Sequence, residues 1–99
     1  DTDEGVPPPA ALLLTVDRWI VAEGSTVTLT WSAENVKAGS CRLFGDNGDS
    51  WGPYSEGGGS VTSSALTAVT DFTFSCTDYN GEKISRSVTV RIVPRYREK

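Results

Sequence analysis

The chain has 99 residues, enough for one ordinary hydrophobic core and too few for two independent ones. It contains no histidine and no methionine, and without an imidazole the usual hydrolase triads and His-ligated zinc sites are excluded. The formal net charge of -4 is unevenly spread, with five cations against twelve acids over 1–90 and four cations against one acid over 91–99. An acidic body does not draw nucleic acid or anionic lipid, so neither is an expected partner.

Serine, threonine, valine and glycine dominate the remaining composition, which favours strands and turns over helices. Residues 1–10 read as an acidic, proline-rich linker or arm, since Pro7-Pro8-Pro9 favours an extended, semi-stiff backbone. The opening Asp1-Thr2-Asp3-Glu4 is the opposite of a basic signal-peptide start, which reads as a mature product or an excised domain. No window approaches the roughly 18 apolar residues of a membrane span, so membrane insertion is not expected.

The first strand is predicted over Ala11 to Val16, interrupted at Asp17-Arg18 and continued briefly by Trp19-Ile20-Val21, as a strand that switches partners at a kink. From Ser25 to Ala33, Val27, Leu29, Trp31 and Ala33 alternate with Thr26, Thr28, Thr30 and Ser32, the period of a half-buried antiparallel strand. A loop over Asn35 to Gly39 leads to the short strand Cys41 to Phe44, with Cys41 and Leu43 on one face. The turn-rich Gly45 to Ser50 follows, and Trp51 to Gly59 reads as irregular.

Ser60 to Ala65 can form a strand, and Leu66 to Asp71 a crossover. Phe72, Phe74 and Cys76 then share one face of a strong strand running to Tyr79. Asn80-Gly81 predicts a type I' hairpin, a turn that needs positive φ at both central positions. The returning strand, Lys83 to Val93, places Ile84, Val88, Val90 and Ile92 on one face, with Arg86 in the same register and expected at a strand end reaching solvent. Pro94 closes the domain, leaving 95–99 as a basic tail that reads as a solvated end. About seven short strands without helical periodicity predict an all-β, two-sheet antiparallel sandwich over 11–94, whose core includes Val27, Leu29, Trp31, Leu43, Phe72, Phe74, Val88 and Val90.

Cys41 and Cys76 lack metal-site spacing and have no histidine to help them. A disulfide is the expected state and implies a secreted, periplasmic or surface location, two buried free thiols being the alternative. Closing the 35-residue separation should stabilise the domain by roughly 3 to 4 kcal/mol.

The run Gly24-Ser25-Thr26-Val27-Thr28-Leu29-Thr30-Trp31-Ser32-Ala33, then Ser40-Cys41, Trp51 and Phe72-Thr73-Phe74-Ser75-Cys76, resembles bacterial immunoglobulin-like domains of secreted and surface proteins. The resemblance covers about residues 11 to 93. It implies an immunoglobulin-like sandwich in which Cys41 and Cys76 pair. In antibody domains the first cysteine lies on the second strand and staples two sheets. Here Trp31 holds that strand and Cys41 falls on the third, a neighbour of the sixth in one sheet, so the bridge should tie two strands together or pin a loop to an edge. Trp31 then supplies bulk between the sheets, where its burial with Phe72 and Phe74 contributes several kcal/mol.

Three functional readings follow. Asp46-Asn47-Gly48-Asp49 and Glu56 offer oxygen ligands, but their spacing fails the calcium-loop pattern and a solvated turn is the better reading, with no cofactor or metal expected. Trp51 and Tyr54 form a candidate sugar-stacking platform on a loop, set against the simpler role of covering the core edge. Leu12, Leu13 and Leu14, which cannot all face one core, and the cations Arg91, Arg95 and Arg97 are candidate assembly contacts, because an acidic start and a basic finish would meet between successive units. No acid pair is singled out for catalysis. The expected role is a non-catalytic structural or interaction module, as spacer, adhesin element or filament subunit with protein neighbours; a glycan or cell-surface ligand module is the alternative.

Overall fold

A computed structural model of the chain describes residues 9–93. Eight strands and no helix occur among them: β1 (Ala11–Val16), β2 (Ile20–Val21), β3 (Thr28–Glu34), β4 (Cys41–Gly45), β5 (Ser50–Tyr54), β6 (Gly57–Thr62), β7 (Thr70–Thr77) and β8 (Lys83–Ile92). They form a three-stranded sheet in the order β1-β3-β6 and a five-stranded sheet in the order β2-β8-β7-β4-β5. The additional strand comes from residues 51–59, expected to be irregular. Their backbone pairs instead, β5 with β4 and β6 with β3, despite a glycine content that weakens intrinsic strand preference.

Alternation decides which side chains enter the space between the sheets. From the three-stranded sheet come Leu12 and Leu14 of β1 and Leu29, Trp31 and Ala33 of β3; from the other come Leu43, Phe72, Phe74 and Val90, all buried. Trp31 reaches across, its ring 5.2 Å from that of Phe74. Val27 is also buried, although its strand begins at Thr28, three residues later than expected: its N–H donates to the hydroxyl of Ser63 at 3.0 Å rather than to a backbone carbonyl. Of the expected core residues only Val88 differs, packing against the cluster while half-exposed. The reason is an open edge: β2 pairs with Arg91 and Ile92 alone, so the stretch of β8 around Val88 has no strand beyond it. Arg86 is exposed as expected, but inside β8 opposite Phe74 rather than at its end.

The kink at Asp17-Arg18 does carry the chain between sheets. Asp17 Oδ1 accepts the Thr28 N–H at 2.9 Å and Arg18 Nη2 donates to the Thr26 carbonyl at 2.7 Å, closing β1 against β3 before β2 joins β8 in parallel. Cys41 and Cys76 form a disulfide. The β4–β7 register sets Arg42 opposite Ser75, so the bridge links neighbouring strands of one sheet at facing positions.

The β7–β8 hairpin departs from the expected turn. Gly81 has φ 89° while Asn80 is not in the positive region, and Gly81 N–H bonds to the Asp78 carbonyl at 3.0 Å as Asp78 N–H bonds to that of Glu82 at 2.9 Å. This is a three-residue loop ending in a left-handed glycine, not a two-residue type I' turn. Asp78 selects it, because its Oδ1 accepts from the backbone N–H of both Asn80 (2.9 Å) and Glu82 (2.8 Å).

Candidate functional site

Strand directions define two poles. Pro9 and Ala11 lie beside Asn35 and Glu34, and the loop after β3 meets the β7–β8 hairpin there through the Val36–Asp78 bridge. At the far end, the Arg91 N–H bonds to the Trp19 carbonyl and the Val93 N–H to that of Val21, both at 2.8 Å. The described chain therefore starts at one pole and finishes at the opposite one.

Glu56 organises the N-terminal pole. Its Oε2 accepts from the backbone N–H of Asn35 and from the Tyr79 hydroxyl, the latter at 3.1 Å, joining three connections that are distant in sequence. This hydrogen bond, with a smaller contribution from desolvation and the charge of Glu56, holds the Tyr79 phenol above its ordinary pKa. Asn35 is the one described non-glycine residue with positive φ, 63°, a conformation asparagine tolerates. Its Nδ2 donates to the Pro9 carbonyl at 3.0 Å and so ties Pro9 to this pole. Ser32, Ala33, Glu34, Asn35, Glu56 and Gly57 line an open cleft of about 540 Å³ beside it. Sequence reasoning missed this cluster, since neither Glu56 nor Tyr79 belongs to a motif that points to the other.

Trp51 and Tyr54 are not on a loop. Both lie on β5, half-buried, with side chains on the inner side of the sheet. Tyr54 stacks on Trp31 with ring centroids 4.4 Å apart, and Trp51 lies 6.2 Å from Phe72. Each thus lends ring surface to the core, the simpler of the two roles weighed for them. Among the three leucines, Leu12 and Leu14 are buried and only Leu13 is exposed, at 54 %. Strand alternation removes the first two from any surface contact. Arg91 is exposed on β8 opposite Ile20, close in the chain to the exposed Val93, whereas Arg95 and Arg97 fall outside the described residues.

The Asp46–Asp49 segment is a hydrogen-bonded turn. Asp49 Oδ2 accepts from Ser64 N–H (3.0 Å), Ser64 Oγ (3.1 Å) and Asn47 Nδ2 (3.1 Å), and Asp46 Oδ1 accepts from Asp71 N–H (3.2 Å). Among the described residues no group of three or more acids, cysteines or histidines is placed to hold a metal ion. No helix of the described residues is long and apolar enough to cross a membrane, and the disulfide fits an extracellular or otherwise oxidising location. No protein-family model matches the chain, and no curated protein matches it as a relative.

Proposed function

We propose that the chain is an immunoglobulin-like sandwich serving as a non-catalytic module of a secreted or surface protein, set in series with protein neighbours as a spacer, adhesin element or filament subunit. The strand orders support the family reading: β1, β3 and β6 take the A, B and E positions of an immunoglobulin fold, and β4, β7 and β8 with β5 take C, F, G and C′. The in-sheet disulfide and the lack of a strand at the D position among the described residues set it apart from antibody domains.

The observation that carries the role is the placement of the two ends at opposite poles, which lets copies or neighbouring domains follow one another without the chain doubling back. Charge supports the same direction of contact. Glu34, Glu56, Asp78 and Glu82 outnumber Lys37 and Lys83 around the N-terminal pole, while the basic finish of the sequence follows Val93 at the other. Screening at physiological salt limits this attraction to a steering contribution.

Two copies joined end to end provide the test. Small-angle scattering should give a maximum dimension close to twice that of one copy, with association between separate copies weakening in high salt and on removal of residues 94–99. A pair that packs side by side, with dimensions little larger than one copy, overturns the reading.

A further inference from the structure

Two hairpins of the five-stranded sheet share one loop design at opposite poles. Asp46-Asn47-Gly48 joins β4 to β5, and Tyr79-Asn80-Gly81 joins β7 to β8. In both, the loop glycine N–H bonds to the carbonyl three residues back, Gly48 to Gly45 at 3.2 Å and Gly81 to Asp78 at 3.0 Å. In both, the flanking residues close the loop, Gly45 N–H to Asp49 O at 2.8 Å and Asp78 N–H to Glu82 O at 2.9 Å. Both glycines have positive φ, 101° and 89°.

The asparagine side chains differ. Nδ2 of Asn47 donates to Asp49 Oδ2 at 3.1 Å and to Ser64 Oγ at 3.3 Å, and its Oδ1 accepts from Asp49 N–H at 3.1 Å. Asn80 is exposed and engages only its backbone N–H, at Asp78 Oδ1. Its carboxamide has no hydrogen-bond partner among the described residues.

We propose that Asn80 is a site of spontaneous covalent modification, deamidating through a cyclic imide with Gly81, and that Asn47 is protected from the same reaction. Solvent base removes the Gly81 amide proton, and the nitrogen forms a bond to Asn80 Cγ. The Cγ–Nδ2 bond then breaks, and the leaving nitrogen takes a proton from water and departs as ammonia. Water opens the ring at either carbonyl, leaving aspartate or isoaspartate, with no change of oxidation state. Glycine is the following residue that permits the approach, because it has no Cβ to crowd the attacking nitrogen.

Releasing the glycine amide from its carbonyl is required in both loops and therefore cancels in the comparison. Asn47 must also break its three side-chain contacts before its Cγ can swing onto the backbone. The product at position 80 is a new carboxylate beside Asp78 and Glu82, so modification makes the N-terminal pole more acidic by one charge. The isoaspartyl form also lengthens the loop backbone by a methylene.

The test ages the folded, oxidised chain at mildly alkaline pH and follows each asparagine by peptide mass mapping and isoaspartyl methyl-transfer labelling. Position 80 should convert about tenfold or more faster than position 47, the ratio that roughly 1.4 kcal/mol of extra restraint confers. In the reduced, denatured chain the two rates should be comparable, and Ser64→Ala should speed Asn47 while leaving Asn80 unchanged. Comparable rates in the folded chain, faster loss of Asn47, or no conversion at position 80 while the denatured chain reacts would each overturn the proposal.

Discussion

Reducing the Cys41–Cys76 bridge provides the sharpest test of how this small domain is held together. The cysteines are 35 residues apart, and closing a loop of that length removes about 4 kcal/mol of chain entropy from the unfolded state. In the folded state the bridge fixes little that is not fixed already, because β4 and β7 are in register from the Arg42–Ser75 pair onward on one side of it, and the Ser40 hydroxyl bonds to the Thr77 backbone on the other. The crosslink therefore acts mainly on the unfolded chain. Urea unfolding of the oxidised and reduced wild-type protein isolates this effect without creating a cavity at the two buried sites. The reduced form should be less stable by about 4 kcal/mol, with a melting temperature lower by roughly 15 to 30 °C for a domain of this size. Its m-value should be larger, since an uncrosslinked unfolded chain exposes more surface. A loss below about 1 kcal/mol would refute the reasoning, because the folded or unfolded chain would then already supply the constraint.

Three further outcomes are expected. Gly45→Ala places a Cβ 2.7 Å from Phe72 Cε1 and 2.6 Å from Asn47 Oδ1; Phe72 is fully buried and cannot retreat, so the change should cost about 1 to 3 kcal/mol by thermal unfolding, partly relieved in the Gly45→Ala/Phe72→Leu double variant. Ser63→Ala leaves the Val27 N–H buried without its acceptor and should cost about 1 to 3 kcal/mol in urea, against little change for the exposed Ser87→Ala. The Glu56 hydrogen bond raises the Tyr79 pKa above 10.0 in the folded chain, so its contribution to stability is complete below the unfolded value and is lost as pH rises through the raised one. An absorbance titration of tyrosinate should show one late-titrating group that Tyr79→Phe removes and Glu56→Gln moves earlier, and a midpoint unmoved by Glu56→Gln would contradict that cause.

Alternation by itself specified much of this fold. Val27, Leu29, Trp31 and Ala33 point inward, and so do Phe72, Phe74 and Cys76, because a strand sends successive side chains to opposite faces whatever its partner. The same rule predicts that Leu13 must part from Leu12 and Leu14. Two cysteines and no histidine left a disulfide as the expected state, and the polar interruption at Asp17-Arg18 marked the place where the chain changes sheets.

Tertiary structure decided what depends on pairing across long separations. Trp51 and Tyr54 occur among glycines and a proline, so no local pattern marks a strand, yet β4 lies beside them and turns both rings toward the core. Val88 obeys the alternation and still remains half-exposed, because burial also needs a neighbour beyond β8 that the two residues of β2 do not provide. Asn80-Gly81 announces a turn, but the Asp78 carboxylate chooses its type. The junction of Asn35, Glu56 and Tyr79 was equally illegible. Periodicity is a property of neighbouring residues, whereas the partner that covers a ring or fills a lone pair is chosen when the sheets assemble.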